Sequence, residues 1–473
     1  MHKNVLLWFR NNLRINDNIA LTQAAKNGKV LAVFVLNQNL FEPKLFGLQS
    51  IGQYRYYFLF QSLQNLKQNL KKIGVTLLVK KGLPEVEIGF IIEKYNIHEI
   101  HFTQEPGYYE QLEEQSVLKL CNSKSVKAVL HKPDLLCNFD ELPFAVTQTP
   151  ELFTSFRKKV EKFNAFGNLA SIPQKIEGIE VAEDEVFLQN VPKKPEIPKY
   201  AAFKKNGGED AAIAHLQEYI WDKQQYIKTY KETRNGLIGN EYSSKLSPWL
   251  ANGSISVRQI FAEVKRFENE VIANQSTYWL IFELLWRDYF KLIMLKHGNK
   301  LFKTGGIQNH KIKWTEDEEL FFIWAYGKTG YPLVDANMNE LRQTGFMSNR
   351  GRQIVASFLT KNLGINWQWG AFWFEHHLVD YDVSSNYGNW NYAAGIGNDA
   401  RGFRYFNIYK QALQYDPNGD YIRLWIPELA QVEGFKAHQP KNYGINYYSP
   451  IVDLEESAAK NENLYNKAIS FKK

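Results

Sequence analysis

The chain has 473 residues, of which 44% are hydrophobic and 23% are charged, a composition typical of soluble globular proteins with two or three domains. Its two cysteines, Cys121 and Cys137, exclude a disulfide framework and a cysteine-rich metal site, and they favour a reducing compartment such as the cytoplasm. No apolar run is long enough to cross a membrane and no secretory signal opens the sequence, while a net charge of +7 permits a polyanionic partner without requiring one.

Short apolar segments in the first third of the chain predict buried β-strands with helical patterns between them. The strands are expected at Val5–Phe9, Val30–Leu36, Val75–Val79, Glu99–Phe102 and Val126–Leu130. Strands that alternate with helices predict an α/β fold, a doubly wound parallel sheet. No G-x-G-x-x-G motif follows the first strand, so the usual dinucleotide fingerprint is absent there.

Helical periodicity dominates from Ala211 to about Leu429, which predicts an all-α second domain. All tryptophans except Trp8 lie from Trp221 onward, so the two parts should have different interiors. We expect an α/β domain at 1–131, a proline-containing surface linker at 132–208, a helical domain at 209–430 and a tail at 431–473. The tail is polar and mixed, and the sequence leaves open whether it is ordered against the body.

The stretch from Thr344 to Asn398 carries the densest pattern of the chain. One helix is expected from Ser348 or Asn349 to Leu363, with Gly364 just past its end, and an aromatic-rich helix from Trp367 to Leu378. The segment 380–397 is predicted to be irregular, and loops that mix aromatic with polar residues often shape a site. The adjacent His376 and His377 point to different helix faces and lack spaced partners, so no metal site is expected.

Three motifs of this stretch are Asn349-Arg350-Gly351-Arg352-Gln353, Asp380-x-Asp382 and Asn386-Tyr387-Gly388-Asn389-Trp390. They resemble the flavin-binding core of the photolyase and cryptochrome family, and its DASH cryptochrome branch in particular. The likeness extends from Trp8 to Leu429. The resemblance implies that the all-α domain binds FAD, and that a monomer repairs cyclobutane pyrimidine dimers in DNA, preferentially single-stranded DNA, by electron transfer from excited reduced FAD.

A run of small hydroxyl residues, 243–247, precedes a predicted helix start, which is an anion-binding arrangement, although serine-rich caps are common. The family resemblance makes it a clasp for the FAD pyrophosphate. The FAD-contacting residues that the resemblance implies are Tyr230, Ser243, Ser244, Lys245, Leu246, Ser247, Asn349, Arg352, Asp380, Asp382 and Asn386. Asn349 would face the flavin N5, Arg352 would pair with Asp380, and Asp382 would accept from the flavin N3. An ordinary turn after a helix is the plain alternative for the two aspartates.

The segment Ser276–His297 is apolar almost all round, so we expect a buried helix. Glu283 and Arg287 lie four residues apart, and an ion pair between them is the plain interpretation. The resemblance implies instead that Glu283 hydrogen-bonds a flipped-out pyrimidine, that Trp286 stacks on it and that Arg287 binds a phosphate. Gln353 and Tyr392 match a base-contacting and a lesion-stacking position.

Trp314, Trp367 and Trp390 match the three-tryptophan electron chain of the family, with Trp390 next to the flavin and Trp314 at the surface. Without the resemblance, these tryptophans would simply be core residues. The same chain would also serve a blue-light photoreceptor that binds DNA without efficient repair, which is the alternative function.

The α/β domain of the family can carry an antenna pigment, usually a folate such as 5,10-methenyltetrahydrofolate. Glu110 and Glu114 fall near the position of the folate-contacting carboxylate, while a solvated acidic helix face is the alternative interpretation. The family pattern after the first strand is W-F-R-x-D-L-R. Asn12 replaces its aspartate, which places an N-terminal ion pair in doubt.

Overall fold

The computed structural model describes residues 3–181, 191–399 and 402–470. Its parallel sheet has the strand order β3-β2-β1-β4-β5. The strands are β1 (Asn4–Phe9), β2 (Lys29–Asn37), β3 (Leu77–Gly82), β4 (Glu99–Thr103) and β5 (Lys127–His131). The predicted sheet is therefore confirmed, although β3 begins two residues later than expected.

Both faces of the sheet are buried, which explains why its strands are continuous apolar runs. Val5, Leu7 and Phe9 pack on one face with α1 (Ile19–Asn27) and α2 (Gln53–Lys72). On the other face, Leu6 and Trp8 pack with residues of the next two helices. These are α3 (Pro84–Lys94) and α4 (Tyr108–Ser123). Because successive side chains of a strand point to opposite faces, β1 contributes to both cores.

The remaining regular structure of the described chain is helical, with 3₁₀ turns and irregular connections between the helices. They are α5 (Phe153–Phe163), α6 (Glu209–Trp221), α7 (Tyr230–Thr233), α8 (Ser247–Asn252), α9 (Val257–Glu270), α10 (Gln275–His297), α11 (Glu318–Ala325), α12 (Pro332–Thr344), α13 (Asn349–Ser357), α14 (Trp367–His377), α15 (Val383–Ala394), α16 (Ile408–Tyr415), α17 (Asp420–Trp425) and α18 (Leu454–Ser470). A π-helical turn, Phe358–Asn362, extends α13. The predicted all-α C-terminal architecture is confirmed.

The segment 380–397 is not irregular as predicted, because most of it forms helix α15. Asp382 caps the helix by accepting from the Ser385 N–H at 2.7 Å, and Gly395 ends it with φ +78°. Serine, asparagine and glycine favour helices weakly, which explains the wrong prediction. Good caps and the burial of Trp390 outweigh that weak local preference.

Buried ion pairs join the α/β domain to the helical domain. Arg258 of α9 lies 2.8 Å from Asp17 and 3.1 Å from Asp134, and Arg14 lies 3.2 Å from Asp134. Burial alone would raise the pKa of Asp134, but the charges of Arg14 and Arg258 lower it well below its usual range. These buried ion pairs therefore hold the N-terminal part of the chain against α9.

The tail is ordered against the helical domain. In α18, the Asn461 side chain donates to the carbonyls of Lys361 and Asn362 at 3.0 and 2.9 Å. The Tyr465 hydroxyl donates to the Gly395 carbonyl at 2.8 Å, at the end of α15. Within the described ranges, no helix is both long enough and apolar enough to span a membrane.

Candidate functional site

A cleft in the helical domain brings together residues from five separate segments. Its cavity volume is about 260 Å³, and its mouth is open to solvent. Twelve of the predicted site residues line it, namely Tyr230, Ser243, Ser244, Lys245, Leu246, Ser247, Glu283, Arg287, Asn349, Arg352, Asp380 and Asp382. Helix α10 packs against both α7 and α15, and this packing brings Tyr230 and Asp380 to the same cleft although they lie 150 positions apart in the sequence.

Lys245 is the central cation of the hydroxyl-rich segment. It adopts the left-handed conformation with φ +51°, it is 4% exposed, and its Nζ lies 3.3 Å from the Ser243 Oγ. Burial lowers its pKa well below the usual value, against the opposing charges of Glu340 and Glu241. No carboxylate of the described residues forms an ion pair with it. An anion bound beside Lys245 would favour its charged form, and a phosphate group would supply that anion.

Two carboxylates flank the cleft at the start of α15 and are held in different ways. The Arg352 Nη2 lies 3.0 and 2.8 Å from the two oxygens of Asp380, and its Nε donates to the Met347 carbonyl at 3.0 Å. Asp382 is fixed by its role as helix cap. The expected Arg352–Asp380 pair is thus present, and Asp382 presents a carboxylate able to accept from an N–H donor of a ligand.

Glu283 does not pair with Arg287. Its Oε1 lies 2.5 Å from the Nη1 of Arg234, while the Arg287 Nη1 donates to the Asp134 carbonyl at 3.0 Å. The Asp134 carbonyl and the Asp288 carboxylate, 3.5 Å away, thus take the place of Glu283 as partners of Arg287. Burial raises the pKa of Glu283, and Arg234 opposes that shift. Sequence reasoning missed Arg234 as a site residue, although it lies only four positions after Tyr230.

Four predicted residues, Trp286, Gln353, Asn386 and Tyr392, do not belong to the cleft lining. Trp286 stacks on Phe153 with ring centres 3.7 Å apart and an interplanar angle of 10°, and Tyr392 meets it edge-on at 6.3 Å. Asn386 is buried and donates to the Ala371 carbonyl at 3.0 Å. Gln353 is half-buried on α13. One face of the Trp286 indole is therefore already covered by protein.

The three predicted tryptophans run from the interior to the surface. Trp390 is 2% exposed, Trp367 is fully buried and Trp314 is half-buried. Trp390 rests on Gly370, one helical turn beyond Trp367, so closely that a Cβ at Gly370 would lie 2.3 Å from the indole Cη2. Trp314 borders a small crevice that helix α18 also lines.

Glu114, one of the two expected antenna carboxylates, has protein partners. Its Oε1 forms an ion pair with Arg10 and accepts from the Glu105 N–H at 2.6 Å, and its residue is 3% exposed. The solvated acidic face considered for it is therefore wrong. Asn12 is uncharged, and its side-chain oxygen accepts from the Arg10 backbone N–H at 2.9 Å. The carboxylate that pairs with Arg10 is therefore that of Glu114, and position 12 contributes no charge.

Glu110, the other expected antenna residue, has a buried Oε2 without a hydrogen-bond partner in the described parts of the chain. Burial raises its pKa to about 7. The carboxylate lies against Gly107, close to Val383 of α15, where the α/β domain and the helical domain meet. An orphaned buried carboxyl group suits a ligand that offers hydrogen bonds there.

His376 and His377 have backbone partners. Their Nδ1 atoms lie 2.7 Å from the Gln49 carbonyl and 3.0 Å from the Trp373 carbonyl. Over the three described ranges, no cluster of three or more histidine, cysteine, aspartate or glutamate side chains could hold a metal ion.

Comparison with known proteins assigns this cleft to a family. The family described as the FAD binding domain of DNA photolyase matches residues 279–467, and the family described as DNA photolyase matches residues 5–175. The chain is 45% identical to a cryptochrome DASH of Gloeobacter violaceus, over 98% of this chain and 96% of that protein. It is 47% identical to a cryptochrome DASH of Synechocystis, over 96% of each chain.

Solved structures agree with this result. A crystal structure of a Synechocystis cryptochrome matches with a TM-score of 0.93 and 45% identity, over 98% of this chain and 99% of that one. A class III photolyase of Agrobacterium tumefaciens matches with a TM-score of 0.86 and 28% identity, over 99% and 98%. The chain belongs to the photolyase and cryptochrome family, and within it to the cryptochrome DASH branch.

Proposed function

We propose that this chain is a blue-light-driven lyase that splits cyclobutane pyrimidine dimers in DNA, preferentially in single strands. The observation that carries the proposal is one cleft that unites three groups of residues. They are the hydroxyl-rich segment around Lys245, the Arg352–Asp380 pair and the carboxylate of Glu283. A cofactor clasp and a pyrimidine-reading acceptor in the same cleft suit a flavin beside a flipped base.

The cleft residues fit FAD. Ser243, Lys245 and Ser247 would hold the pyrophosphate, since all three line the cleft and no carboxylate of the described residues forms an ion pair with the buried Lys245. Asp382 would accept from the flavin N3–H, and Asn349, exposed at the cleft, would contact the flavin N5 side or the substrate. Bound FAD would supply the light-driven electron, and the cleft residues would hold and orient the cofactor.

The lesion must leave the base stack before it can enter the cleft. Flipping costs a few kcal/mol and costs least in single strands, while stacking on aromatic rings returns roughly 1–3 kcal/mol per base. Trp286 and Tyr392 lie outside the cleft lining, and Trp286 is already stacked on Phe153. A site with so little free aromatic surface compensates duplex flipping poorly, which supports the single-strand preference. Gln353 would contact a neighbouring base, and Arg287 a phosphate of the cofactor or strand.

The tryptophan row supports a supply of electrons from outside the protein. Trp390 and Trp367 are buried, and Trp314 reaches solvent. We assign electron flow in the order Trp314, Trp367, Trp390, which would return the cofactor to its active redox state. A DNA-binding photoreceptor could use the same row.

A folate antenna is a further part of the proposal, and Glu110 is the residue that would bind it. Its buried Oε2 has no hydrogen-bond partner among the described residues, whereas Glu114 is held by Arg10. A Sulfolobus tokodaii photolyase, which matches with a TM-score of 0.80 and 26% identity over 98% of this chain and all of that one, was solved with two FAD molecules, which was taken to imply a novel light-harvesting cofactor. Absorbance and fluorescence spectra of pigments released from the parent and Glu110→Ala would identify an antenna and its dependence on Glu110.

The decisive experiment measures dimer splitting under blue light on matched single-stranded and duplex oligonucleotides. The proposal expects splitting in single strands, much less in duplexes, and none in the dark. Flavin photoreduction without repair of either substrate would replace the lyase with the photoreceptor alternative.

A further inference from the structure

The ion pair between Arg234 and Glu283 closes off the carboxylate that is proposed to read the lesion. The Nη1 of Arg234 lies 2.5 Å from the Glu283 Oε1, and both residues line the cleft. A pyrimidine that donates to Glu283 must therefore compete with a guanidinium already in place. In the free protein, a lesion with no other ligand present would have to displace the Arg234 guanidinium from Glu283.

The pair is built so that it can open. The side chains of Arg234 and Glu283 keep 20% and 27% of their surface exposed, and water weakens an ion pair of this kind. Arg287, the other cation near Glu283, instead donates to the Asp134 carbonyl at 3.0 Å. Moving Arg234 would thus uncover the carboxylate.

A phosphate group is the ligand best able to move Arg234. Its planar guanidinium can bind phosphate through two parallel hydrogen bonds. Lys231 and Arg234 both lie over the Trp279 ring, at 5.0 and 5.5 Å, and two like charges over one indole repel each other. An incoming anion relieves that repulsion, so the cleft edge is prepared for a DNA backbone.

We propose that Arg234 is a strand-sensing latch: a DNA phosphate draws its guanidinium from Glu283 and frees that carboxylate to accept from a pyrimidine. The inference rests on the proposed function, because it assumes a DNA strand at the cleft. It makes lesion reading conditional on strand binding. Arg234 then acts through Glu283 as a positioning residue and also adds one phosphate contact.

The test compares Arg234→Gln, Glu283→Gln and Arg234→Lys for binding to a labelled single-stranded oligonucleotide without damage, over a range of salt concentrations. The latch predicts that Arg234→Gln weakens binding and reduces the slope of log affinity against log salt by about one unit. Glu283→Gln releases Arg234, so it strengthens binding by up to about fivefold, the most that an exposed ion pair commonly contributes. Arg234→Lys keeps the charge and retains the slope.

Arg266 offers a matched control. It also pairs with a carboxylate, Glu263 at 3.1 Å, and lies over an indole, Trp221 at 4.3 Å, but it does not line the cleft. Arg266→Gln should leave both affinity and slope unchanged.

Unchanged or weaker binding by Glu283→Gln overturns the latch and makes the ion pair a fixed structural contact, and so does an unchanged slope in Arg234→Gln. A parent protein that binds no single strands at all rejects the proposed function itself. Flavin absorbance, recorded for each variant, separates loss of the cofactor from loss of the phosphate contact.

Discussion

Trp314 and Trp367 donate their indole N–H groups to the same acceptor, the backbone carbonyl oxygen of Thr304, at 3.1 and 3.0 Å. Two nitrogens bound to one oxygen cannot be far apart, so this carbonyl holds the half-buried and the fully buried indole side by side. The other end of the row is fixed by Gly370, which lets Trp390 lie against the helix that carries Trp367. Backbone atoms thus set both spacings of the row.

Trp367→Phe should remove the middle step of this row. We expect photoreduction of oxidised flavin by an external reductant to lose most of its rate, because phenylalanine is not readily oxidised. Enzyme reduced chemically beforehand should still repair, since the row only resupplies electrons. Flavin absorbance recorded under blue light measures the rate of photoreduction. A repair assay under blue light, with enzyme that was reduced chemically in the dark, measures whether repair is retained.

Trp425→Phe is the control for that substitution, because Trp425 is equally buried and lies outside the row. Equal photoreduction rates in Trp367→Phe and the parent would remove the assigned role.

Gly370→Ala should displace Trp390. The new Cβ would lie 2.3 Å from the Trp390 Cη2 and 2.6 Å from the Leu359 Cδ2, and a rigid buried ring cannot simply swing aside. Overpacking of this kind costs about 1–3 kcal/mol, which exceeds the helix-propensity gain of about 1 kcal/mol from glycine to alanine. Urea unfolding should show a net loss of stability, together with slower photoreduction. Gly402→Ala, where no atom lies within 4 Å, should be neutral in both measurements.

Lys361→Met tests a buried ammonium beneath the tail helix. Lys361 donates to the Ala394 carbonyl at 2.8 Å and lies under the rings of Phe403 and Tyr465, and burial lowers its pKa to about 7. The unfolded chain keeps the proton up to its ordinary pKa of about 10.4, so it binds more protons than the folded chain above pH 7. Stability of the parent should therefore rise with pH from about 7 towards 10, by an order of a few kcal/mol.

That rise should be smaller in Lys361→Met, which has no such group. Denaturant unfolding of both proteins at several pH values measures the difference, and parallel pH profiles would show that Lys361 stays charged in the folded protein.

The sheet and the buried helix α10 were predictable because their apolar patterns are local and long. Helix α15 was not, since its residues favour helix weakly and only the caps Asp382 and Gly395 reveal its limits. The Arg234–Glu283 pair joins residues 49 positions apart, and no helical spacing connects them. Glu283 and Arg287, by contrast, have the four-residue spacing of a helical ion pair but do not pair, because the Arg287 guanidinium donates to the Asp134 carbonyl.

Glu283→Ala should cost the protein its preference for damaged strands. A partly buried carboxylate makes a hydrogen bond to a base that is worth about 1.5–3 kcal/mol, and alanine cannot replace it. Affinity for an oligonucleotide with a cyclobutane dimer should therefore fall by about tenfold or more, whereas affinity for the undamaged strand should not fall, because phosphate contacts dominate it. The measurement is a pair of binding isotherms at one stated salt concentration, with Glu263→Ala, the carboxylate of the Arg266 pair, as the matched control. A parallel loss of both affinities, or release of the flavin, would make Glu283 a structural partner of Arg234 and end its assignment as the lesion-reading residue.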